Sequence, residues 1–321
     1  MVVPDGMRPI ALVGTTASGK SALAMEVSRR FGDVELVSVD SMQVYRGMDI
    51  GTAKPTQADQ AEVVHHVIDV VDPWEPYEVH SFQRAVADAL ADISARGRRA
   101  LLVGGTGLYL RAVIDGFEIP GRFPEVAAEL DSTPDTEAET VALHQRLALV
   151  DPQAAARMEP TNRRRVIRAL EVCIGSGRPF SSFGPGLDAY PDTPVHLVGI
   201  RLPQPVVADR IEQRYHQQMT DGFLAEVEGL RSGPPLSRTA GQALGYRELL
   251  AHLTAADNGD STPTIEQAVD EAIRRTRAFA RRQRAWFRRD PRIRWLDAAT
   301  DPHVVIGEMI DLVESHWRHV S

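Results

Sequence analysis

The most constraining feature of the sequence is a glycine-rich stretch near its start, ALVGTTASGKSALAMEV at residues 11–27. An apolar run precedes this stretch and a helical pattern follows it, which predicts a strand, a phosphate-binding loop and a helix. In such a loop the glycines turn backbone N–H groups toward an anion, the lysine supplies a charge, and the serine supplies a hydroxyl suited to Mg²⁺. We therefore predict that eight consecutive residues hold phosphates: Gly14, Thr15, Thr16, Ala17, Ser18, Gly19, Lys20 and Ser21.

The composition is that of an ordinary globular protein. With 321 residues, of which 43% are hydrophobic and 25% charged, the chain can form one large domain or two smaller ones. The single cysteine, Cys173, excludes an intrachain disulfide and a cysteine-based zinc cluster. Since no stretch approaches the length and apolarity of a membrane span, we expect a cytoplasmic protein with no membrane partner. We also expect it to be a monomer.

The charge distribution is uneven. The formal net charge of −8 argues mildly against a nucleic-acid partner, yet 34 of the 36 basic residues are arginines and they cluster. One cluster is Arg163–Arg165 with Arg168, and the other runs from Arg274 to Arg294. Both readings stay open here: a nucleic-acid contact, or a solvated helix face whose arginine stems cover apolar surface. The only lysines, Lys20 and Lys54, lie in motif stretches, which hints at a chemical role for each.

Apolar runs alternate with helical patterns over the first third of the chain. This alternation predicts an α/β fold with a parallel sheet of the P-loop kinase type. Ligands of such sheets bind beyond the carboxyl ends of the strands, so the segments that follow the runs should converge there. The predicted strands are residues 10–13, 34–39, 66–71 and 100–103, and the converging segments are Gly14–Ser21, Asp40-Ser41 and Gly104–Thr106.

The alternation stops near residue 116, which indicates an insertion. We predict a first part of the α/β core at 1–116, an all-helical insertion at 117–193 that contacts RNA, and a second part of the core at 194–321. Helical patterns cover 124–130, 137–149 and 152–175 within the insertion. The second part should contain a strand at 195–200 and an arginine-rich helix over 264–290.

Asp40 follows a predicted buried strand and faces the phosphate loop. The residues alone leave two roles open for it: a ligand that helps to hold Mg²⁺, or a general base for a nucleophile lying beside the phosphates.

Four further motifs narrow the function. They are VSVDSMQVYRGMDIGTAKP at 37–55, HHVIDVVDP at 65–73, LLVGGTGLYLRAV at 101–113 and QALGYRELL at 242–250. In this order and at these spacings they resemble the bacterial tRNA dimethylallyltransferases (tRNA isopentenyltransferases) over nearly the whole chain. That family transfers a dimethylallyl group from dimethylallyl diphosphate to the exocyclic amine of the adenosine 3′ of the anticodon, and its kinase-like loop does not hydrolyse ATP.

The resemblance implies roles for the site residues. The phosphate loop would hold the diphosphate as a leaving group, with Lys20 and Mg²⁺, bound through Ser21, neutralising its charge. Arg214 would be a further diphosphate ligand, although an ordinary surface arginine paired with Glu212 or Asp209 is the alternative. Asp40 matches the family's catalytic aspartate. Thr106 matches a residue near the substrate, and it could also cap the following helix.

The resemblance also implies the tRNA contacts. A base that leaves the anticodon-loop stack would enter a pocket at Asp40 and Thr106. Two departures from the family pattern are Arg247, where many relatives have lysine, and Ala127, where relatives often have an arginine whose contact Arg122 could replace. His65 and His66 lack metal-ligand spacing and are interpreted as strand-entry residues. The other implied tRNA contacts are Ser41, Met42, Gln43, Arg164, Arg165, Arg168, Gln242, Gly245 and Arg247.

Two alternative functions remain at this stage. A small-molecule kinase would use the same loop with ATP as donor and Asp40 to activate a hydroxyl. An isopentenyltransferase of the cytokinin-making type would act on free AMP or ADP instead of tRNA.

Overall fold

The computed structural model describes residues 3–184, 186 and 189–318. The chain forms two compact units, one from residues 1–115 with 192–321 and one from residues 116–191. The second unit starts and ends within two residues of the insertion bounds predicted from the sequence. No helix in the described part of the chain is both long enough and apolar enough to cross a membrane.

The larger unit is built on a six-stranded sheet in the order β3-β2-β4-β1-β5-β6, and every strand pair is parallel. The predicted α/β class with a parallel sheet is therefore confirmed. All residues of β1 and β2 are buried, as expected for a parallel sheet with helices on both faces. The strands are β1 (Ile10–Gly14), β2 (Val34–Val39), β3 (His65–His66), β4 (Arg99–Gly104), β5 (His196–Arg201) and β6 (Arg294–Asp297).

Nine α-helices of the larger unit connect and cover the strands within the described residues. The longest, α12, carries its buried residues at helical spacing, for example Val269, Ile273, Ala280 and Phe287. The helices are α1 (Lys20–Phe31), α2 (Gln57–Glu62), α3 (Val79–Ala95), α4 (Gly107–Ile114), α9 (Gln204–Thr220), α10 (Phe223–Arg231), α11 (Tyr246–Asp257), α12 (Ile265–Phe287) and α13 (Ile306–Arg318).

The smaller unit has only helices among its described residues and has its own apolar core, which includes Leu147, Val166 and Leu170. The helical pattern over 152–175 corresponds to two helices and not to one continuous helix. The chain leaves the helix after Ala156, and a new helix begins where the Asn162 side chain accepts a hydrogen bond from the Arg165 N–H. The helices of this unit are α5 (Pro124–Asp131), α6 (Glu137–Val150), α7 (Pro152–Ala156) and α8 (Arg163–Ser176).

The strand predicted over 66–71 is much shorter in the structure, where β3 is only His65–His66. Val67 and Asp69 adopt positive φ angles of 61° and 53°, which are incompatible with a continuing strand. A buried lysine holds this irregular segment in place: Lys54 Nζ donates to the Tyr45 carbonyl at 2.8 Å and contacts carboxylates of Asp49 and Asp69 at 2.5 Å. Lys54 is therefore a structural residue, and the chemical role suggested by its rarity was wrong.

Candidate active site

The register of three neighbouring strands places three loops side by side. Gly104, the last residue of β4, pairs with Val13 of β1 on one side and with Val39 of β2 on the other. The residues after each strand therefore emerge at one edge of the sheet. They are the phosphate loop Gly14–Ser21, hereafter the P-loop, together with Asp40 and the Gly105-Thr106 pair. This is the convergence predicted from the sequence.

The P-loop has the backbone geometry of an anion site. Gly19 has a φ of 87° and directly precedes α1, and no side chain caps the first turn of that helix. A Cβ atom at position 19 would lie 2.3 Å from Cγ of Pro302, so both the conformation and the available space require glycine. The N–H groups of the first turn of α1, together with the helix dipole, therefore favour a negatively charged ligand at this position.

Lys20 belongs to this loop and is the first residue of α1. Its Nζ donates a hydrogen bond to the Thr15 carbonyl at 2.6 Å. The pKa of Lys20 is lowered to about 8, mainly by burial of the ammonium group; nearby Asp40 acts to raise it and nearby Arg214 acts to lower it. The charges of Lys20, Asp40 and Arg214 thus act on one another. A diphosphate in the loop would favour the protonated lysine and raise this pKa again.

This shifted pKa predicts a pH dependence of anion binding. Below pH 8 the free protein already carries the ammonium charge, whereas above pH 8 binding must take up a proton, so the contribution of Lys20 to affinity decreases as pH rises. Calorimetric titration with inorganic diphosphate across this range should show wild-type affinity approaching that of Lys20→Ala. Lys20→Arg, which stays charged, should not converge in this way. A constant gap between wild type and Lys20→Ala would contradict the prediction.

Asp40 and Thr106 lie on two neighbouring loops that one hydrogen bond connects. The Met42 N–H donates to Oδ1 of Asp40 at 2.8 Å, which orients the carboxylate by an Asx-type turn. Thr106 Oγ1 accepts from the Ser41 N–H at 3.3 Å. The alternative in which the Thr106 side chain caps α4 was wrong, because no side-chain hydrogen bond caps that helix. Thr106 therefore supports the segment that carries Asp40.

Arg214 faces the same region from α9. Its Nε is shielded from solvent and has no hydrogen-bond partner, and burial lowers the pKa of the guanidinium. The alternative of a surface arginine paired with Glu212 or Asp209 was wrong, because Arg214 forms no ion pair within the described residues and Glu212 pairs with Arg277 at 2.6 Å. Four residues earlier on α9, Arg210 donates to the Ala17 carbonyl of the P-loop at 2.9 Å. Arg214 is thus a half-buried cation with a shielded Nε donor that has no partner, which is what an anionic ligand needs.

Gln283 is a site residue that the sequence analysis missed. Its Oε1 accepts from the Thr16 N–H and its Nε2 donates to the Gly105 carbonyl, both at 2.8 Å. The side chain therefore ties the P-loop to the loop after β4. A signal was present in the sequence: Gln283 lies three residues after Ala280 and four before Phe287, so it is a polar residue on the buried face of α12.

A cavity of about 280 Å³ opens beside the P-loop, between α9 and α12. Val207 and Ile211 contribute to an apolar wall, while Arg277, Arg281 and Arg284 bring positive charge close to Thr15. A ligand with a short hydrocarbon part and a phosphate part matches this combination.

The predicted tRNA-binding residues next to Asp40 have structural partners. Ser41, Met42 and Gln43 are half-buried. Gln43 accepts from the Ser38 hydroxyl and donates to the carbonyls of Thr52 and Ala53, so its side chain shapes the loop. Their contacts to a base stay predictions.

The predicted tRNA-binding residues of the QALGYRELL motif differ in exposure. Gln242 and Arg247 are exposed and bonded to each other at 3.1 Å. Gly245 is buried with a φ of 88°, and its N–H already donates to Glu248. Gly245 therefore has a structural role in this turn, whereas Gln242 and Arg247 present exposed side chains; the RNA contacts of all three stay predictions.

The arginine cluster of the insertion divides into two kinds of residue. Arg163 donates to backbone carbonyls of Thr133 and Pro134, and Arg168 donates to Glu171 and to the Pro120 carbonyl. These two guanidinium groups connect parts of the insertion. Arg164 and Arg165, by contrast, are exposed. In the cluster on α12, Arg274, Arg275 and Arg277 likewise form ion pairs within the larger unit.

The geometry defines a P-loop enzyme in which a carboxylate and a half-buried arginine adjoin the phosphate site. The chain belongs to the IPP transferase family, whose model matches residues 43–290. It is 43% identical over 306 residues to a tRNA dimethylallyltransferase of Bifidobacterium longum, covering 94% of this chain and 90% of that protein.

Two solved structures resemble the fold. The crystal structure of the full-length tRNA isopentenylpyrophosphate transferase from Bacillus halodurans has a TM-score of 0.69 at 34% identity, covering 98% of this chain and 97% of that one. A eukaryotic dimethylallyltransferase acting on tRNA has a TM-score of 0.76 at 25% identity, covering 96% of this chain and 80% of that one.

Proposed function

We propose that this protein transfers the dimethylallyl group of dimethylallyl diphosphate to the exocyclic amine of the adenosine 3′ of the anticodon in tRNA. The observation that carries the proposal is the mutual placement of Lys20, Asp40 and Arg214. Two cations face a phosphate loop and one carboxylate lies close enough to act on both of their charges. Family membership and the tRNA-acting relatives support the identity of the two substrates.

The two cations would bind and activate the donor. The P-loop N–H groups, Lys20 and the free Nε of Arg214 would bind the diphosphate, and the hydrocarbon would lie against the apolar wall near Val207. As the allylic carbon–oxygen bond breaks, negative charge builds on the departing diphosphate. Donors already aimed at that position stabilise the transition state more than the ground state.

The donor set near the P-loop fits a Mg²⁺ ion that arrives with the diphosphate. Ser21 is exposed on the first turn of α1, and no group of three His, Cys, Asp or Glu residues in the described ranges could hold an ion without the substrate. Mg²⁺ is usually held by one or two protein oxygens, substrate phosphates and water. Ser21 would hold the ion, which supplies charge neutralisation to the leaving group.

Asp40 would remove the proton from the adenine amine. That amine is a weak nucleophile because its lone pair is delocalised into the ring, so a base that takes the proton as the carbon–nitrogen bond forms is needed. Met42 occupies Oδ1 of Asp40 through its N–H, which leaves Oδ2 as the proton acceptor.

The test is to incubate the protein with labelled dimethylallyl diphosphate, Mg²⁺ and an anticodon stem-loop RNA, then digest the RNA and locate the label. We expect the label on the adenosine 3′ of the anticodon and none on a matched RNA with guanosine there. Parallel arms with AMP, with ADP, and with ATP in the absence of RNA test the alternatives. Label on free nucleotides, or turnover of ATP alone, would overturn the proposal.

The exposed arginines of α8 should contribute phosphate contacts to tRNA. We expect the double variant Arg164→Ala/Arg165→Ala to weaken tRNA binding and to flatten the log–log salt dependence by about one unit per lost contact. Filter binding over a range of salt concentrations measures both. Arg146→Ala, an exposed arginine on α6, is the matched control and should leave the slope unchanged. An equal slope for the double variant and wild type would remove these two residues from the RNA interface.

A further inference from the structure

A second basic cavity lies at the opposite edge of the sheet from the P-loop. It has a volume of about 210 Å³ and is lined by Arg8, His196, Arg294, Leu312, Ser315 and His316. Arg8 lies two residues before β1, and His196 and Arg294 are the first residues of β5 and β6. Since the strands are parallel, these three residues emerge together at the amino ends, and α13 covers them with His316.

The positive charge in this cavity is poorly compensated. The Arg8 guanidinium forms no ion pair within the described residues, and Arg294 has only a 3.6 Å contact with Glu308, in which both side chains are more than half exposed. The His196 and His316 rings stack with centroids 4.8 Å apart. Glu308 is thus the one carboxylate that pairs with a lining residue in the described part of the chain.

The positive charge of this cavity also affects the pKa values of the two histidines. Burial, together with the charges of neighbouring His196 and Arg8, lowers the pKa of His316 to about 4, although a hydrogen bond with the Arg8 backbone acts in the opposite direction. Burial also lowers the pKa of His196, with Arg294 and Arg8 acting in the same direction. In addition, Nε2 of His316 is shielded from solvent and has no hydrogen-bond partner. A buried nitrogen without a hydrogen-bond partner is costly unless a ligand pairs with it.

We propose that this cavity binds a small phosphate-type oxyanion. A metal ion is disfavoured because the two imidazoles stand beside two guanidinium cations. The volume is below the range of about 300–1,000 Å³ that is usual for small-molecule sites, so a single tetrahedral anion fits better than a nucleotide. Arginines bind such oxygens through forked N–H groups, and a bound anion would favour the protonated forms of both histidines. This inference is independent of the proposed function.

The test is ¹H NMR of the histidine ring protons during titration with inorganic phosphate, at constant ionic strength maintained with NaCl. His196→Gln and His316→Gln assign the two resonances. Both should shift saturably in wild type, and equally in Lys20→Ala, which removes the P-loop contribution. A second titration with inorganic diphosphate shows which of the two anions, phosphate or diphosphate, the cavity binds more tightly.

The double variant Arg8→Ala/Arg294→Ala should raise the midpoint by about tenfold or more, because it removes two charge-assisted contacts. Arg146→Ala/Arg238→Ala removes two exposed arginines elsewhere and should leave the midpoint unchanged. The proposal is overturned if the wild-type resonances move only as they do with NaCl, or if Lys20→Ala abolishes the shifts. These wild-type and Lys20→Ala results decide the question even if the double arginine variant fails to fold.

Discussion

Asp40→Asn should lower single-turnover dimethylallyl transfer by about 10²–10⁴-fold, which is the usual contribution of a positioned general base. The asparagine keeps the size of the side chain and an oxygen that can accept from the Met42 N–H, so the loop should keep its shape. It cannot accept the proton of the adenine amine. Donor affinity and tRNA affinity should therefore change little while the chemical step slows.

A Mg²⁺ titration separates this role from the other role that the sequence left open for Asp40. If the carboxylate mainly helps to hold the ion, raising Mg²⁺ should restore much of the rate of Asp40→Asn, and diphosphate affinity should fall in the variant. Rescue of this kind would refute the general-base assignment, and so would a rate within a few-fold of wild type. Asp260→Asn, at an exposed position, is the matched control and should transfer at the wild-type rate.

The parts of the fold that follow from short segments could be predicted from the sequence. The strand, the P-loop and α1 have a local signature, because the glycines and the apolar run act within about 20 residues. Once the sheet is known to be parallel, the position of Asp40 beside the P-loop follows from topology, since Asp40 and the P-loop each come directly after a strand. The helical insertion could also be predicted, because its residues lack strand patterns over a long stretch.

The contacts that depend on distant segments could not be predicted in this way. Gln283 lies 267 residues from Thr16 in the chain, and only the packing of α12 against the loops makes that hydrogen bond possible. Lys54 illustrates the reverse case. The rarity of lysine in this chain suggested a chemical role for Lys54. In the structure, Asp69 has a positive φ and its carboxylate contacts Nζ, so the lysine is buried and stabilises the local fold.

Arginine clusters are ambiguous in a sequence for a related physical reason. Neighbouring guanidinium groups on one helix can point to an internal carbonyl, to a carboxylate of another element or to solvent. On α8, Arg163 and Arg168 bond within the insertion whereas Arg164 and Arg165 are exposed. The exposed pair is the more accessible to RNA phosphates, and for that reason the salt-dependence experiment targets these two residues, while the predicted contact of Arg168 stays a prediction.

Lys20→Ala should lower transfer by about 10²–10³-fold, the range seen when one donor to a developing negative charge is removed. The ammonium group lies at the P-loop, where the departing diphosphate would gain charge. Lys20 belongs to neither arginine cluster. Binding of tRNA, measured without donor, should therefore remain close to wild type.

Two variants make this result interpretable. Arg30→Ala, an exposed cation in the last turn of the same helix, should transfer at the wild-type rate and controls for loss of charge on α1. Lys20→Arg keeps the charge but replaces a compact ammonium with a planar fork, so it should recover diphosphate affinity better than transfer rate. If Lys20→Ala weakened tRNA binding as much as transfer, the P-loop would contact RNA or support the fold, and the assignment of Lys20 to the donor would be wrong.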